Sequence, residues 1–246
     1  MSGHPLDRQA WSALTGRQTA FCIAEGRARR FHPEVGVFAA VEDGSEDSLA
    51  GLARLVRAHG DVALLEPGEA PPIPRVAVRS RDLGWQGVAR AVPKPQPGRF
   101  DIAPLTEADA AQMLALATLT EPGPFFARTH TLGGFIGIKS EGRLVAMAGE
   151  RMKPQGFTEI SGVCTHPDYR GRGYGSALIL QVAAIIQARG ETPYLHAYAS
   201  NTAAIALYET LGFGFRAEVV MAVPNLAGHP SGRSDLYRRG PGRRGL

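Results

Sequence analysis

Val163-Cys164-Thr165-His166-Pro167-Asp168-Tyr169-Arg170-Gly171-Arg172-Gly173-Tyr174-Gly175-Ser176 is the most informative run of this chain. Residues 156–165 leading into it read as a strand. Residues 173–189 leading out of it read as a helix, with Tyr174, Leu178, Val182, Ile185 and Ile186 at core spacing. Between the two lies a turn holding three glycines and two arginines. Glycine lets backbone approach a ligand closely, and the unsatisfied N–H groups that open a helix point at it. The helix dipole adds partial positive charge there, so phosphate oxygens bind well. Arg170 and Arg172 contribute full charges and fork-shaped donors. The turn reads as an anion cradle.

Competing cradles fit less well. The dinucleotide fingerprint G-x-G-x-x-G needs its third glycine elsewhere, and a Walker loop needs a lysine that this turn lacks. What fits is R-x-x-G-x-G at Arg170, Gly173 and Gly175, after a strand ending in a Pro-Asp turn. This pattern resembles the pyrophosphate loop of the GNAT superfamily, the acyl-CoA-dependent N-acyltransferases. A second run, Asn201-Thr202-Ala203-Ala204-Ile205-Ala206-Leu207-Tyr208-Glu209-Thr210-Leu211-Gly212-Phe213, resembles another block of the same superfamily.

The resemblance implies a set of roles. Arg170, Gly171, Arg172, Gly173, Tyr174, Gly175 and Ser176 would hold the pyrophosphate. The edge at Val163, Cys164 and Thr165 would bond the pantetheine amides as though they were another strand. Asn201 would cap its helix and bond the pantetheine, and Tyr208 would protonate the departing thiolate. Glu159 is the first choice for the base that neutralises the amine, by analogy with a glutamate on the corresponding strand of histone acetyltransferases. Strand alternation puts Glu159, Ser161, Val163 and Thr165 on one face. Glu150 is the alternative base, and His196 and His166 are further candidates that read more simply as structural. Cys164 as an acylated nucleophile is not needed for direct transfer. No cluster of His, Cys and Asp ligands suggests a metal.

Composition bounds the rest. At 246 residues, 44% hydrophobic and 20% charged, the chain is long enough for one large or two ordinary globular domains. The net charge of +4 equals the contribution of Arg238, Arg239, Arg243 and Arg244 in a Gly/Pro-rich tail. That localisation argues for a solvated basic tail over residues 225–246 and against a nucleic-acid binder. Cys22 and Cys164 have no metal or disulfide spacing, which fits a reducing cytoplasm. No apolar run is long enough for a membrane helix.

Along the chain, residues 1–91 mix strands with two helical stretches, 5–16 and 48–59, and carry no phosphate turn. Strands are expected over 19–24, 27–31, 35–41, 61–66 and 75–79. Val92-Pro93-Lys94-Pro95-Gln96-Pro97-Gly98 is an extended linker and marks a boundary at 92–98. From 99 to 224 the order is strand, helix, three strands, helix, strand, helix, strand, which the GNAT fold requires. Thr106 and Asp109 read as a capping box for the helix over 107–119. The expected architecture is an α/β mixed sheet: a GNAT domain at 99–224 behind a smaller mixed domain at 1–91, the latter GNAT-like in layout alone. The expected activity is acetyl transfer from acetyl-CoA to a primary amine of a small molecule or protein, with a homodimer compatible. The rival reading is an acyl-CoA sensor without turnover.

Overall fold

A computed structural model describes residues 3–66 and 76–226, with side chains placed except at 76–79 and 224–226. The first half contains α1 (Gln9–Thr15), β1 (Cys22–Glu25), β2 (Ala28–Phe31), β3 (Phe38–Val41), α2 (Glu46–His59), β4 (Ala63–Glu66) and β5 (Val76–Ala89). The second contains β6 (Ile102–Leu105), α3 (Ala110–Thr120), β7 (Phe135–Ser140), β8 (Arg143–Glu150) and β9 (Phe157–Thr165). It continues through α4 (Tyr174–Ala188), β10 (Thr192–Tyr198), α5 (Thr202–Thr210) and β11 (Phe213–Leu226). Thr106 and Asp109 do form the capping box ahead of α3. Ser45 caps α2 by accepting from the Ser48 N–H.

Among the described residues, eleven strands form one sheet in the order β1-β2-β3-β4-β11-β5-β10-β9-β8-β7-β6. That order has an internal two-fold character that no sequence repeat announces. Each half supplies a helix, three antiparallel strands, a crossover helix and a parallel strand: α1-β1-β2-β3-α2-β4 and α3-β7-β8-β9-α4-β10. The halves then exchange their last strands. β5 pairs with β10, β11 pairs with β4, and β5 and β11 pair with each other along most of their length. The sheet therefore runs unbroken past the expected boundary at 92–98. Our division of the chain at that linker stands as a proposal about where one half ends, not about a gap in the sheet.

The two faces follow from strand alternation. On β3, Phe38 and Ala40 pack in the cluster that holds Ala10, Ala13 and Leu14 of α1, while Ala39 and Val41 pack with Leu49, Leu52 and Leu55 of α2. On β10, Leu195 joins the α4 cluster and Tyr198 packs against the α1 cluster. Thus α1 and α3 cover one face, and α2 and α4 the other. Leu178, Ile179, Val182, Ala183 and Ile186 of α4 are buried, whereas Ile185 turns outward at 37% exposure. Burial of that stripe against the sheet, rather than helix propensity, holds α4 in place.

Two expectations change. The strand at 75–79 continues to Ala89, and its later part, Ser80-Arg81-Asp82-Leu83-Gly84-Trp85-Gln86-Gly87-Val88-Ala89, was not legible as strand. Its glycines are packing requirements: a Cβ on Gly87 would lie 2.2 Å from the Trp85 indole, and one on Gly84 2.9 Å from Val219. The final strand also continues to Asn225 and Leu226, two residues past its expected domain end. The basic tail and the Pro67–Pro74 stretch otherwise lie outside the described residues. Among those residues, no helix is long and apolar enough to cross a membrane.

Candidate active site

β9 and β10 run parallel but pair only over Phe157–Glu159 against Thr192–Tyr194. Beyond that, β10 follows β5, pairing Tyr194–Tyr198 with Gly84–Val88, and leaves the β10-facing edge of residues 160–165 without a partner strand among the described residues. The two strands open like a wedge, and the wedge points at the glycine turn. An extended polar ligand can use that free edge as its hydrogen-bonding partner.

β9 also carries a bulge. Its register against β8 shifts between Met147 and Gly149, and Gly162 has φ of +63°. The extra residue resets the alternation. Ile160 and Val163 both pack with α4, while Cys164 faces the α3 cluster on the other side. The expectation that Glu159, Ser161, Val163 and Thr165 share one face therefore fails at Gly162. Val163 and Thr165 are half-buried and Cys164 is buried at 7% exposure. Burial pushes the Cys164 thiol up to about 11, so it is a neutral packing group at neutral pH.

After β9, Pro167–Tyr169 makes a single 3₁₀ turn whose N–H at Asp168 bonds His166 Nδ1. The chain then passes through Gly171 at φ +75° and Gly173 at φ +83°, the residue that caps α4. Both values lie in the left-handed region that favours glycine. A Cβ on Gly171 or Gly175 would meet nothing within 4 Å, so the mouth of the turn is open. Tyr174, Gly175 and Ser176 lie in the first turn of α4, where no earlier intrahelical carbonyl serves their N–H groups. Arg170, Gly171 and Arg172 are exposed. The Arg172 guanidinium sits 4.6 Å over the Tyr169 ring and donates to the Asp168 carbonyl at 3.3 Å. These residues fit a diphosphate: free amides, a helix N-terminus, space, and cations nearby.

Asn201 caps α5, its Oδ1 accepting from the Ala204 N–H at 3.2 Å. Tyr208, on the same helix, packs against the α4 cluster that Val163 and Tyr174 also join. Its ring lies 6.3 Å from that of Trp85, centre to centre. Burial raises its phenol, and no hydrogen bond commits the hydroxyl among the described residues. A phenol in this state stays protonated at neutral pH and is available as a donor.

The carboxylates are placed differently. Glu159 has no exposed side chain and is gripped from several sides. Arg151 donates to it twice, at 2.6 and 2.9 Å, His196 Nδ1 donates at 2.8 Å and the Met152 N–H at 3.3 Å. Burial alone would raise this carboxyl, but the Arg151 charge and the bonds from Arg151 and His196 outweigh it and hold it down to about 2. Glu150 is likewise buried, paired with Arg189 at 2.7 Å and Lys153 at 2.8 Å. His196 Nε2 faces the side-chain amides of Gln9 and Gln86, each at 3.2 Å and each fully buried. A polar network thus runs from β9 through β10 and β5 into α1, continued by Arg216, which donates to Gln86 and Asp7. Sequence reasoning had no sign of it, because its members come from five separate elements.

The sequence model of the FR47-like protein family matches residues 135–221. The chain is 33% identical over 124 residues to N-alpha-acetyltransferase RimI of Mycobacterium tuberculosis, covering 46% of this chain and 77% of that protein. It is 46% identical over 52 residues to the ribosomal protein bS18 alanine N-acetyltransferase of Escherichia coli, but spans only 35% of that protein. A crystal structure of a chain assigned to the GNAT family, from Novosphingobium aromaticivorans, superposes with a TM-score of 0.84 at 44% identity. That match covers 91% of this chain and 99% of the other. A GCN5-related N-acetyltransferase from Kribbella flavida shares the fold, with a TM-score of 0.62 at 18% identity over 91% of this chain and 96% of that one. With the glycine turn, the wedge and the α5 tyrosine in the arrangement described, this chain belongs to the GNAT superfamily and is a GNAT-type acetyltransferase.

Proposed function

We propose that this acetyltransferase takes its acetyl group from acetyl-CoA and passes it directly to a primary amine in a ternary complex. The observation that carries this reading is the wedge between β9 and β10, open at residues 160–165 and ending on the amides that begin α4. Arg170, Gly171, Arg172, Gly173, Tyr174, Gly175 and Ser176 would hold the diphosphate. The edge at Val163, Cys164 and Thr165 would align the pantetheine, with Asn201 at its far side. Binding at both ends fixes the thioester for attack, so much of the barrier is met by positioning. As the C–N bond forms and the C–S bond breaks, backbone N–H groups of β9 stabilise charge on the carbonyl oxygen, and Tyr208 gives its proton to the sulfur.

In this reading Glu159 positions Arg151 and His196 instead of meeting the amine. A carboxylate held at about 2 and sealed by an ion pair is a weak base, and Glu150 is committed to its own cations. The amine then loses its proton to water in the open wedge. The acceptor panel should span small primary amines, amino acids and a peptide beginning with alanine, the last because of what the Escherichia coli relative is named for. The test is release of free thiol from acetyl-CoA over this panel, for the native enzyme and Tyr208→Phe. We expect turnover with at least one class, and about a hundredfold lower kcat in the variant at unchanged CoA affinity. Tight CoA binding with no thiol release from any amine would establish a sensor instead.

A further inference from the structure

We propose that Arg99 belongs to the coenzyme site, with its guanidinium bonding a phosphate of bound CoA at the Gly173 end of the cradle. The inference rests on the cradle reading above. A Cβ built on Gly173 would lie 3.3 Å from Arg99 Nη2 and 3.8 Å from its Cζ, so the guanidinium already stands at the residue that caps α4. Its direction is fixed by packing. The group lies 5.0 Å over the Phe100 ring, and Phe100 meets Tyr174, the first residue of α4, edge-on at 5.0 Å and 86°. Arg99 is exposed, and among the described residues no carboxylate or carbonyl bonds it.

The electrostatics of this arrangement are unfavourable in isolation. Arg99, Arg170 and Arg172 crowd the end of a helix that itself carries partial positive charge. Arg172 is occupied by Tyr169 and the Asp168 carbonyl, whereas among the described residues Arg99 meets the Phe100 ring and the Gly173 backbone and bonds no acceptor. A cation held beside the amides of α4 by an edge-on aromatic pair, with no anionic partner among the described residues, is arranged for an anion that arrives with the ligand. It is also well separated in sequence from the R-x-x-G-x-G run, because residues 99–100 approach α4 just before β6 begins at the far edge of the sheet.

The experiment is CoA binding by calorimetry for the native chain, Arg99→Gln and Arg99→Lys, repeated with 3′-dephospho-CoA. Native-like far-UV circular dichroism and melting serve as the folding control. We expect Arg99→Gln to bind CoA about tenfold more weakly, with a shallower salt dependence and partial recovery in Arg99→Lys. A tenfold gap that persists with 3′-dephospho-CoA places Arg99 on the diphosphate. A gap that closes places it on the 3′-phosphate, and either result supports the proposal. Equal affinity of native and Arg99→Gln chains for both ligands would overturn it. Failure of the native chain to bind CoA at all would instead overturn the cradle reading on which it rests.

Discussion

Replacing Glu159 with glutamine separates two roles that a glutamate on this strand could have. If the side chain is the anchor that its surroundings indicate, the substitution is first a stability mutation. Holding this carboxyl at about 2 in place of 4.5 corresponds to about 3 kcal/mol at neutral pH. Neutralising one partner of a buried ion pair costs a similar ~3–5 kcal/mol, because the buried Arg151 guanidinium loses the carboxylate charge it pairs with at 2.6 Å. The sign with pH is fixed by the direction of the shift. A depressed carboxyl contributes stability that is complete above 4.5 and is lost as pH falls from 4.5 towards 2. Denaturant titrations of native and Glu159→Gln chains should therefore differ by about 3 kcal/mol at pH 7, and the gap should narrow below pH 4.5. Other carboxylates titrate in both proteins and cancel in the difference. The folded fraction of the variant, assayed for thiol release at saturating acetyl-CoA, should retain activity within about tenfold of native. A variant as stable as the native chain but slower by a thousandfold would refute the argument and restore Glu159 as the base.

Two further outcomes follow from packing. Gly87→Ala puts a methyl group 2.2 Å from the Trp85 indole, which is buried against Tyr208, so thermal unfolding should fall by about 2 kcal/mol, or roughly 6 °C; an unchanged melt would mean the indole is free to move. Cys164 is buried with its thiol pushed up to about 11, so incubation with acetyl-CoA followed by peptide mass analysis should find no acetyl group on it, and recovery of such an adduct would show transfer in two steps.

The residues that shape the glycine turn were legible because they are contiguous. Arg170, Gly173 and Gly175 act through local backbone conformation, and a local signal survives in sequence. Tyr208 was legible for a similar reason, standing at a fixed offset from its helix cap at Asn201. Element order from Phe100 onward was legible too, since hydrophobic period and glycine stops mark each strand and helix. The later part of β5 was not, because Gly84 and Gly87 are there to admit Val219 and Trp85, contacts that exist only once the sheet is assembled.

By itself the sequence determined a GNAT-type half with a glycine turn between β9 and α4 and a tyrosine on α5 at a fixed offset from its Asn201 cap. Tertiary structure alone decided what surrounds them. It exchanged β5 and β11 between the halves, joining them in one sheet, and it bent the alternation of β9 at Gly162. It also turned Glu159 from a free carboxylate into the centre of an ion-paired network, and it brought Arg99 to the cap of α4. The physical reason is one of range: turn conformation and helix capping are settled within a few residues. Burial, ion pairing and strand exchange depend on which distant segments arrive at the same place.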